Sequence, residues 1–313
     1  MIFARPRFRV ALLCAGALLA ASAAFAAVPN PDKLVVLSMT DTRARLTPCG
    51  CHVPKGGLAR EAFLVDSVRA LYGRTLLVDN GGFFPAMDHW EEDAAFIMGK
   101  MHALGFRAVG VAGNDLRYGL PFLRENARTT GLPLTCANLV ERSTGKPVFE
   151  PSLLLDVNGV KVGVFALITD QEDLGPSGGL LRVLPSEAVA AKTVKALRAK
   201  GAIAIVLLSQ LGTIASEDLA TSVPGIDAIV VGRKSPLLET GKRIMDTALS
   251  YAGESGYYVG YTVLDRDDRG VFHTGENRLV MLGPEVRDDP AMLASVTTYE
   301  TRIAEKRRLA EKK

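Results

Sequence analysis

The chain has 313 residues, 48% of them hydrophobic, with 37 lysines and arginines against 34 aspartates and glutamates. The small positive excess sits at the N-terminus, because without Arg5, Arg7 and Arg9 the two signs balance at 34 each. A neutral body of this size excludes nucleic-acid binding driven by bulk charge and leaves ample apolar material for a large core.

The first element is an export signal over residues 1–27. The three arginines form its basic start, Val10 to Ala21 its apolar run, and Ala24-Phe25-Ala26-Ala27 a small-residue cleavage site. The run is too short for a lasting membrane helix. Cys14, inside it and behind bulky Leu13, reads as a passive signal residue. No other stretch is apolar enough to span a bilayer, so the expected location is the periplasm or another exported compartment, without a membrane span after cleavage. About 286 residues then remain, enough for one α/β domain over 28–288 followed by a charged helix over 289–313. They hold three cysteines, Cys49, Cys51 and Cys136, an odd number for an oxidising compartment.

Strands and helices alternate through the first two thirds. Leu34 to Leu37 reads as a buried parallel strand ending in a polar turn at Asp41, and Leu58 to Tyr72 as an amphipathic helix. Thr75 to Val78 is a strand ending in Asp79-Asn80-Gly81-Gly82, Glu91 to Leu104 a helix, and Ala108 to Val111 a strand ending in Gly113-Asn114-Asp115. Leu120 to Arg128 is helical, and Leu132 to Ala137 reads as a strand carrying Cys136. Asn158-Gly159 predicts a two-residue hairpin between strands 152–157 and 160–167. A helix over Ser186 to Ala199 precedes strands at Ile203 to Leu208, ending in Ser209-Gln210, and Ile226 to Val231, ending in Gly232-Arg233-Lys234-Ser235. Arg243 to Ala248, Tyr257 to Asp265 and Arg278 to Leu282 read as antiparallel strands, and the tail after Pro290 as a charged, solvated helix.

In an α/β sheet the turns after parallel strands gather on one edge, so these five form a single cleft. Their order resembles the metallophosphoesterase (calcineurin-like) superfamily, in its periplasmic 5′-nucleotidase-like branch. That family places D-x-H, G-D-x-F, G-N-H-E, S-H-x-G and G-H-x-H motifs at successive strand ends. The matching stretches here are Thr40 to Arg43, Asn80 to Phe83, Gly113 to Asp115, Ser209 to Gly212 and Gly232 to Ser235. Cys136-Ala137-Asn138-Leu139 and Gly253 to Gly260 add further matches. The resemblance spans roughly residues 33 to 282 and implies an α/β sheet sandwich flanked by helices.

It also implies a two-metal site, which this sequence departs from. Asp41 and Asn114 keep the family's residue types. Arg43 stands for the histidine of D-x-H, Gly82 for the bridging aspartate and Asp115 for the catalytic histidine, while Gln210, Arg233 and Ser235 replace three more histidines. The four histidines (His52, His89, His102 and His273) fall at no ligand position. An arginine beside a divalent cation repels it and cannot coordinate it. No cofactor is therefore expected. Two readings share the remaining residues: Arg43 or Arg233 neutralising Asp41 and Asp115 in an internal ion-pair network, or an anion-binding cleft of Asp41, Arg43, Asn80, Asn114, Asp115, Gln210 and Arg233.

The Pro48-Cys49-Gly50-Cys51 loop, followed by Gly56-Gly57-Leu58-Ala59-Arg60, resembles a bacterial subgroup of the same branch, some of whose members accompany multihaem cytochromes. It is not a C-x-x-C-H haem-attachment motif, and C-x-C-H cannot easily wrap one tetrahedral ion. Its readings are a disulfide from Cys136 to Cys49 or Cys51, a redox or sulfur-handling thiol, a metal site on all three cysteines, or an inert thiol. His89-Trp90 lies in a loop after the second strand, where the family gathers substrate contacts, although a surface or packing role is the one expected for it. Full 5′-nucleotidases carry a second, base-stacking domain; with some thirty residues after Leu282, that domain and the nucleotide specificity it brings are not expected here.

The function expected is an exported, non-catalytic or atypical 5′-nucleotidase-like protein binding a small anion or a periplasmic redox protein, with a multihaem cytochrome as one partner. The alternative is a hydrolase. It would be either a phosphoesterase placing a divalent metal on oxygen donors (Asp41, Asn114 and Asp115, with Asn80 and Gln210) or thiosulfohydrolase-like chemistry at the Cys49/Cys51 loop.

Overall fold

A computed structural model describes Met1, residues 29–85 and residues 91–310. The rest of the expected export signal, Cys14 and the His89-Trp90 pair lie outside the described residues.

The first sheet has the order β13-β12-β1-β2-β3. At its centre β1 (Lys33–Met39) lies parallel to β2 (Thr75–Asp79) and antiparallel to β12 (Tyr258–Arg266). The flanking strands are β3 (Ala108–Val109) and β13 (Phe272–Met281). The second sheet has the order β10-β11-β9-β8-β6-β5, with β5 (Leu153–Val157), β6 (Val160–Ile168), β8 (Ala204–Gln210), β9 (Ala228–Val231), β10 (Lys242–Ile244) and β11 (Thr247–Ser250). A separate ribbon pairs β4 (Leu139–Glu141) with β7 (Leu181–Val183).

The period-2 alternation of strand side chains builds the layers. Leu34 and Val36 of β1 join Val164, Val206 and Val230 of the other sheet in the inter-sheet core. Val35, Leu37 and Met39 of the same strand face the opposite way, into a core shared with α1 (Leu58–Leu71), α2 (Glu91–Leu104) and α3 (Leu120–Thr130). The outer face of the second sheet packs on α4 (Ser186–Ala199) and α5 (Thr213–Ser222). Both faces of β1 are buried, so its sequence is an unbroken apolar run and hydrophobicity alone cannot choose its register. The Lys33–Asp265 ion pair at 2.5 Å marks the register where β1 meets β12.

Several expectations change. Leu132 to Ala137 makes only single bridges, Leu134 to Val109 and Thr135 to Glu150, in place of a strand. Arg243 to Ala248 breaks at Met245, whose φ is 51°, into the β10–β11 hairpin, and β11 runs parallel to β9. The helix α5 and the β4–β7 ribbon carry little periodic apolar pattern; α5 buries only Ser216, Leu219 and Ala220. The hairpin at Asn158-Gly159 forms, with φ of 47° and 84° as a primed turn requires. The tail helix α6 (Pro290–Ala310) is charged on its outer face, yet it buries Val296, Tyr299 and Ile303 against the rest of the molecule. Tyr299 stacks on Phe96 of α2 with ring centroids 3.7 Å apart and donates to Asp93 at 2.5 Å.

Candidate functional site

The loops after β1, β2, β3, β8 and β9 meet at one end of the sandwich. Asp41, Arg43, Asn114, Gln210 and Arg233 line one cleft there of about 250 Å³, together with Gly82, Ala112, Glu172, Lys234 and Glu254. Asn80 and Asp115 lie beneath its floor, fully buried. The cleft backbone is strained: Asp41, Arg43, Ala44, Arg233 and Lys234 all have positive φ, between 49° and 60°.

Asp41 shows what the strain achieves. Its left-handed conformation lays the β1 loop along the β2 loop, with Asp41 N donating to Gly81 O at 2.8 Å and Arg43 N to Gly82 O at 3.0 Å. The Asp41 carboxylate then covers Gly82 so closely that a Cβ on Gly82 would lie 2.5 Å from Oδ1. Its other oxygen accepts from Thr40 Oγ1 at 2.7 Å, Arg233 N at 3.1 Å and Gln210 Nε2 at 3.4 Å. Burial raises its pKa, and these donors pull it partly back.

Asp115, on the 3-10 turn Gly113–Leu116, is held in the same way. Oδ2 accepts from Gly82 N at 2.7 Å and Ala112 N at 2.9 Å, and Oδ1 from Phe84 N at 3.1 Å. Burial pushes this carboxyl up to about 7, against those three N–H groups, with the nearby Asp41 charge adding to the rise. Asn80 donates to Ser209 O at 3.1 Å and Val230 O at 3.0 Å, stitching the end of β2 to the second sheet. Asn114 donates to Phe84 O at 2.6 Å and supports the loop above Asp115.

The arginines do not neutralise these aspartates, which corrects the ion-pair expectation. The Arg43 guanidinium pairs with Glu254 at 2.5 Å, and that of Arg233 with Glu172, both at the cleft rim. Only the backbone N–H of Arg233 reaches Asp41. Backbone and amide N–H groups satisfy a buried carboxylate without stripping water from a guanidinium, which is the cheaper arrangement. Glu172 carried no sequence signal, being one of three acids, with Asp170 and Asp173, in an irregular loop. Glu254 lies in the glycine-rich stretch before β12, and only that position offered a hint.

The cysteines lie apart from the cleft lining. Cys49 and Cys51 form a disulfide with each other, their Cα atoms 5.3 Å apart, in the loop leading to α1. Cys136 is a buried free thiol, 3.6 Å from Asn138 Oδ1, which burial pushes up to about 12. The expected bridge from Cys136 to this loop is therefore replaced by a local one. A pair of acids also went unnoticed in the sequence. Glu61 and Asp79 are both fully buried beside a very small internal void, each with one oxygen lacking a hydrogen-bond partner among the described residues. Burial pushes Glu61 to about 8 and Asp79 well above the usual carboxylate range. The signal was present, since Glu61 stands three residues after Leu58 and four before Val65 on the buried stripe of α1.

A di-metal centre does not fit these donors. Oδ2 of Asp41 and both oxygens of Asp115 already accept protein hydrogen bonds, and an aspartate at position 82 would collide with Oδ1 of Asp41. Among the described residues no group of three or more His, Cys, Asp or Glu side chains is placed to hold a metal.

No family model matches the chain. It is 26% identical over 315 residues to a 5′-nucleotidase of Diplobatis ommata, a match covering 88% of this chain and 53% of that protein. This chain thus spans about half the length of the curated relatives it matches. Among solved structures, the 5′-nucleotidase precursor of Thermus thermophilus superposes with a TM-score of 0.78 at 24% identity, over 87% of this chain and 59% of that one. The calcineurin-like phosphoesterase YfkN of Bacillus subtilis superposes with a TM-score of 0.69 at 22% identity, over 86% of this chain and 97% of that one. The fold, the order of its strand-end loops and these likenesses agree: the chain has the metallophosphoesterase fold, and the proteins it is similar to are 5′-nucleotidases and calcineurin-like phosphoesterases.

Proposed function

We propose that this is an exported 5′-nucleotidase-like protein whose cleft binds a small oxyanion or carboxylate without hydrolysing it. One observation carries the reading: Oδ2 of Asp41 in the cleft wall and both oxygens of Asp115 beneath its floor already accept protein hydrogen bonds, while Arg43, Arg233 and Lys234 stand at its mouth. A guanidinium offers paired N–H donors that match phosphate, sulfate or carboxylate, and Lys234 is exposed and adds a mobile positive charge. Glu172 and Glu254 occupy the arginines, so a ligand competes with them and binding is of modest strength. Export rests on the signal-like first 27 residues.

The test is calorimetric titration of the mature protein with inorganic phosphate, sulfate and a nucleoside monophosphate, in chelator. Binding of one of them with no phosphomonoester turnover is the expected result. Arg233→Ala should then weaken it by about tenfold, the usual worth of one charge-assisted pair. Stoichiometric metal in the purified protein together with phosphoesterase turnover would replace this reading with that of a hydrolase. That result would require Asp41 and Asp115 to surrender the hydrogen bonds described above.

A further inference from the structure

The Cys49–Cys51 disulfide closes across a single residue, Gly50. Such a small ring constrains the unfolded chain less than any longer loop, so it returns little stability. The loop is anchored without it: Gly56 N donates to Leu282 O at 2.9 Å, Leu58 N to Leu46 O at 3.0 Å, and the Arg60 guanidinium to Pro54 O at 2.6 Å. A structural staple is thus the weaker account of this bridge.

Its surroundings suit exchange. Cys51 is exposed, whereas Cys49 is only 7% exposed. Gly50 between them is exposed, a Cβ placed there would meet no atom within 4 Å, and its φ lies outside the region that requires glycine. Neither conformation nor packing explains the glycine, and its effect is to leave the flank of the S–S bond bare. On the inner side, Lys55 N donates to Cys49 Sγ at 3.4 Å. A sulfur that accepts an N–H bond is the better leaving thiolate.

We propose that Cys49–Cys51 is a thiol–disulfide exchange site that accepts electrons from a dithiol. A thiolate of the dithiol attacks Sγ of Cys51, forming a mixed disulfide and breaking the bond to Cys49, which leaves as a thiolate held by Lys55 N–H and takes a proton. The second thiol of the partner, deprotonated, then attacks its own half of the mixed disulfide. The partner's disulfide closes, and Cys51 leaves and is protonated. Two electrons and two protons pass from the dithiol to the cysteine pair. The step does not depend on anion binding in the cleft and can hold or fail independently of it.

The experiment uses the mature protein in buffers of graded reduced-to-oxidised glutathione ratio, and separately in dithiothreitol, with alkylation and mass analysis of each cysteine. Cys49 and Cys51 should open and reclose together and reversibly while buried Cys136 stays unmodified. Dithiothreitol should complete the reduction without accumulating mixed disulfide, and glutathione should accumulate some. Cys49→Ser should trap glutathione on Cys51 at least about tenfold faster than Cys51→Ser traps it on Cys49, following access. A bridge that resists every glutathione ratio, or two variants that react at equal rates, overturns the proposal. The wild-type titration decides it even if one variant folds poorly.

Discussion

At the scale of single residues, Glu61 makes the clearest claim on solution behaviour. Its carboxyl holds a proton in the folded protein up to about pH 8, against 4.5 in the unfolded chain, because burial disfavours the charge. Between those values the folded state binds more protons than the unfolded one, so stability falls as pH rises through the window and levels off above about 8. Asp115 acts in the same direction between 3.8 and about 7. Glu61→Gln removes one of these contributions without changing shape. Denaturant unfolding should then find the variant more stable than the parent at pH 8.5, by a few kcal/mol at most, and nearly equal at pH 4. A constant difference at both pH values would mean that Glu61 is not the group titrating. Gly82 has a different role. With φ of 75° and Asp41 Oδ1 2.5 Å from where its Cβ would be, Gly82→Ala should cost roughly 1–3 kcal/mol in the same assay. Gly82→Asp restores the family's residue type, yet it should lower stability without conferring metal on the purified protein, because the space is already filled.

Among the elements, those whose fate depends on their own residues were legible in the sequence, and those that depend on neighbours were not. β1, β2 and β8 are apolar runs closed by polar turns, and α4 begins and ends where its sequence predicts. The segment carrying Cys136 has an equally apolar sequence, but Val109 and Glu150 offer it only single bridges, so no ladder forms. The α6 helix shows how charge can mislead. Its many Lys, Arg and Glu residues suggest a solvated rod, while Tyr299 lies flat on Phe96 with its hydroxyl on Asp93, which Arg307 also pairs at 2.8 Å. Tyr299→Ala should therefore destabilise the protein by roughly 2–4 kcal/mol, through lost packing and a lost partner for a buried acid. Tyr299→Phe keeps the stack and should cost only about 1–2 kcal/mol. Equal losses would assign the whole effect to the hydrogen bond, and negligible losses would show that α6 is not docked in solution.

For the molecule as a whole, the site's location was legible and its chemistry was not. Polar turns at the ends of parallel strands gather wherever such strands form one sheet edge, so the positions of Asp41, Asn114, Gln210 and Arg233 follow from topology. That Arg43 and Arg233 turn to Glu254 and Glu172 instead of to the aspartates depends on loops distant in sequence, and no local pattern encodes it. The resulting balance has a consequence for the stability of the entire fold. A metal held by the folded state alone would stabilise it by mass action, and chelation would lower its melting temperature. Here Oδ2 of Asp41 and both oxygens of Asp115 already accept protein hydrogen bonds, so melting should be unchanged, to within about a degree, by exhaustive chelation or by added divalent metals. An anion bound at the cleft mouth acts oppositely. Phosphate or sulfate at about a hundred times its dissociation constant contributes roughly 3 kcal/mol, a rise of several degrees for a chain of this length. The rise should fall to about half in Arg233→Ala, as a tenfold weaker site requires at that concentration, and stay whole in Cys49→Ser, because the disulfide loop and the cleft are separate sites. A melting temperature that falls on chelation would mean that the oxygens of Asp41 and Asp115 do bind metal in solution. The family's hydrolytic chemistry would then be the better account of the cleft.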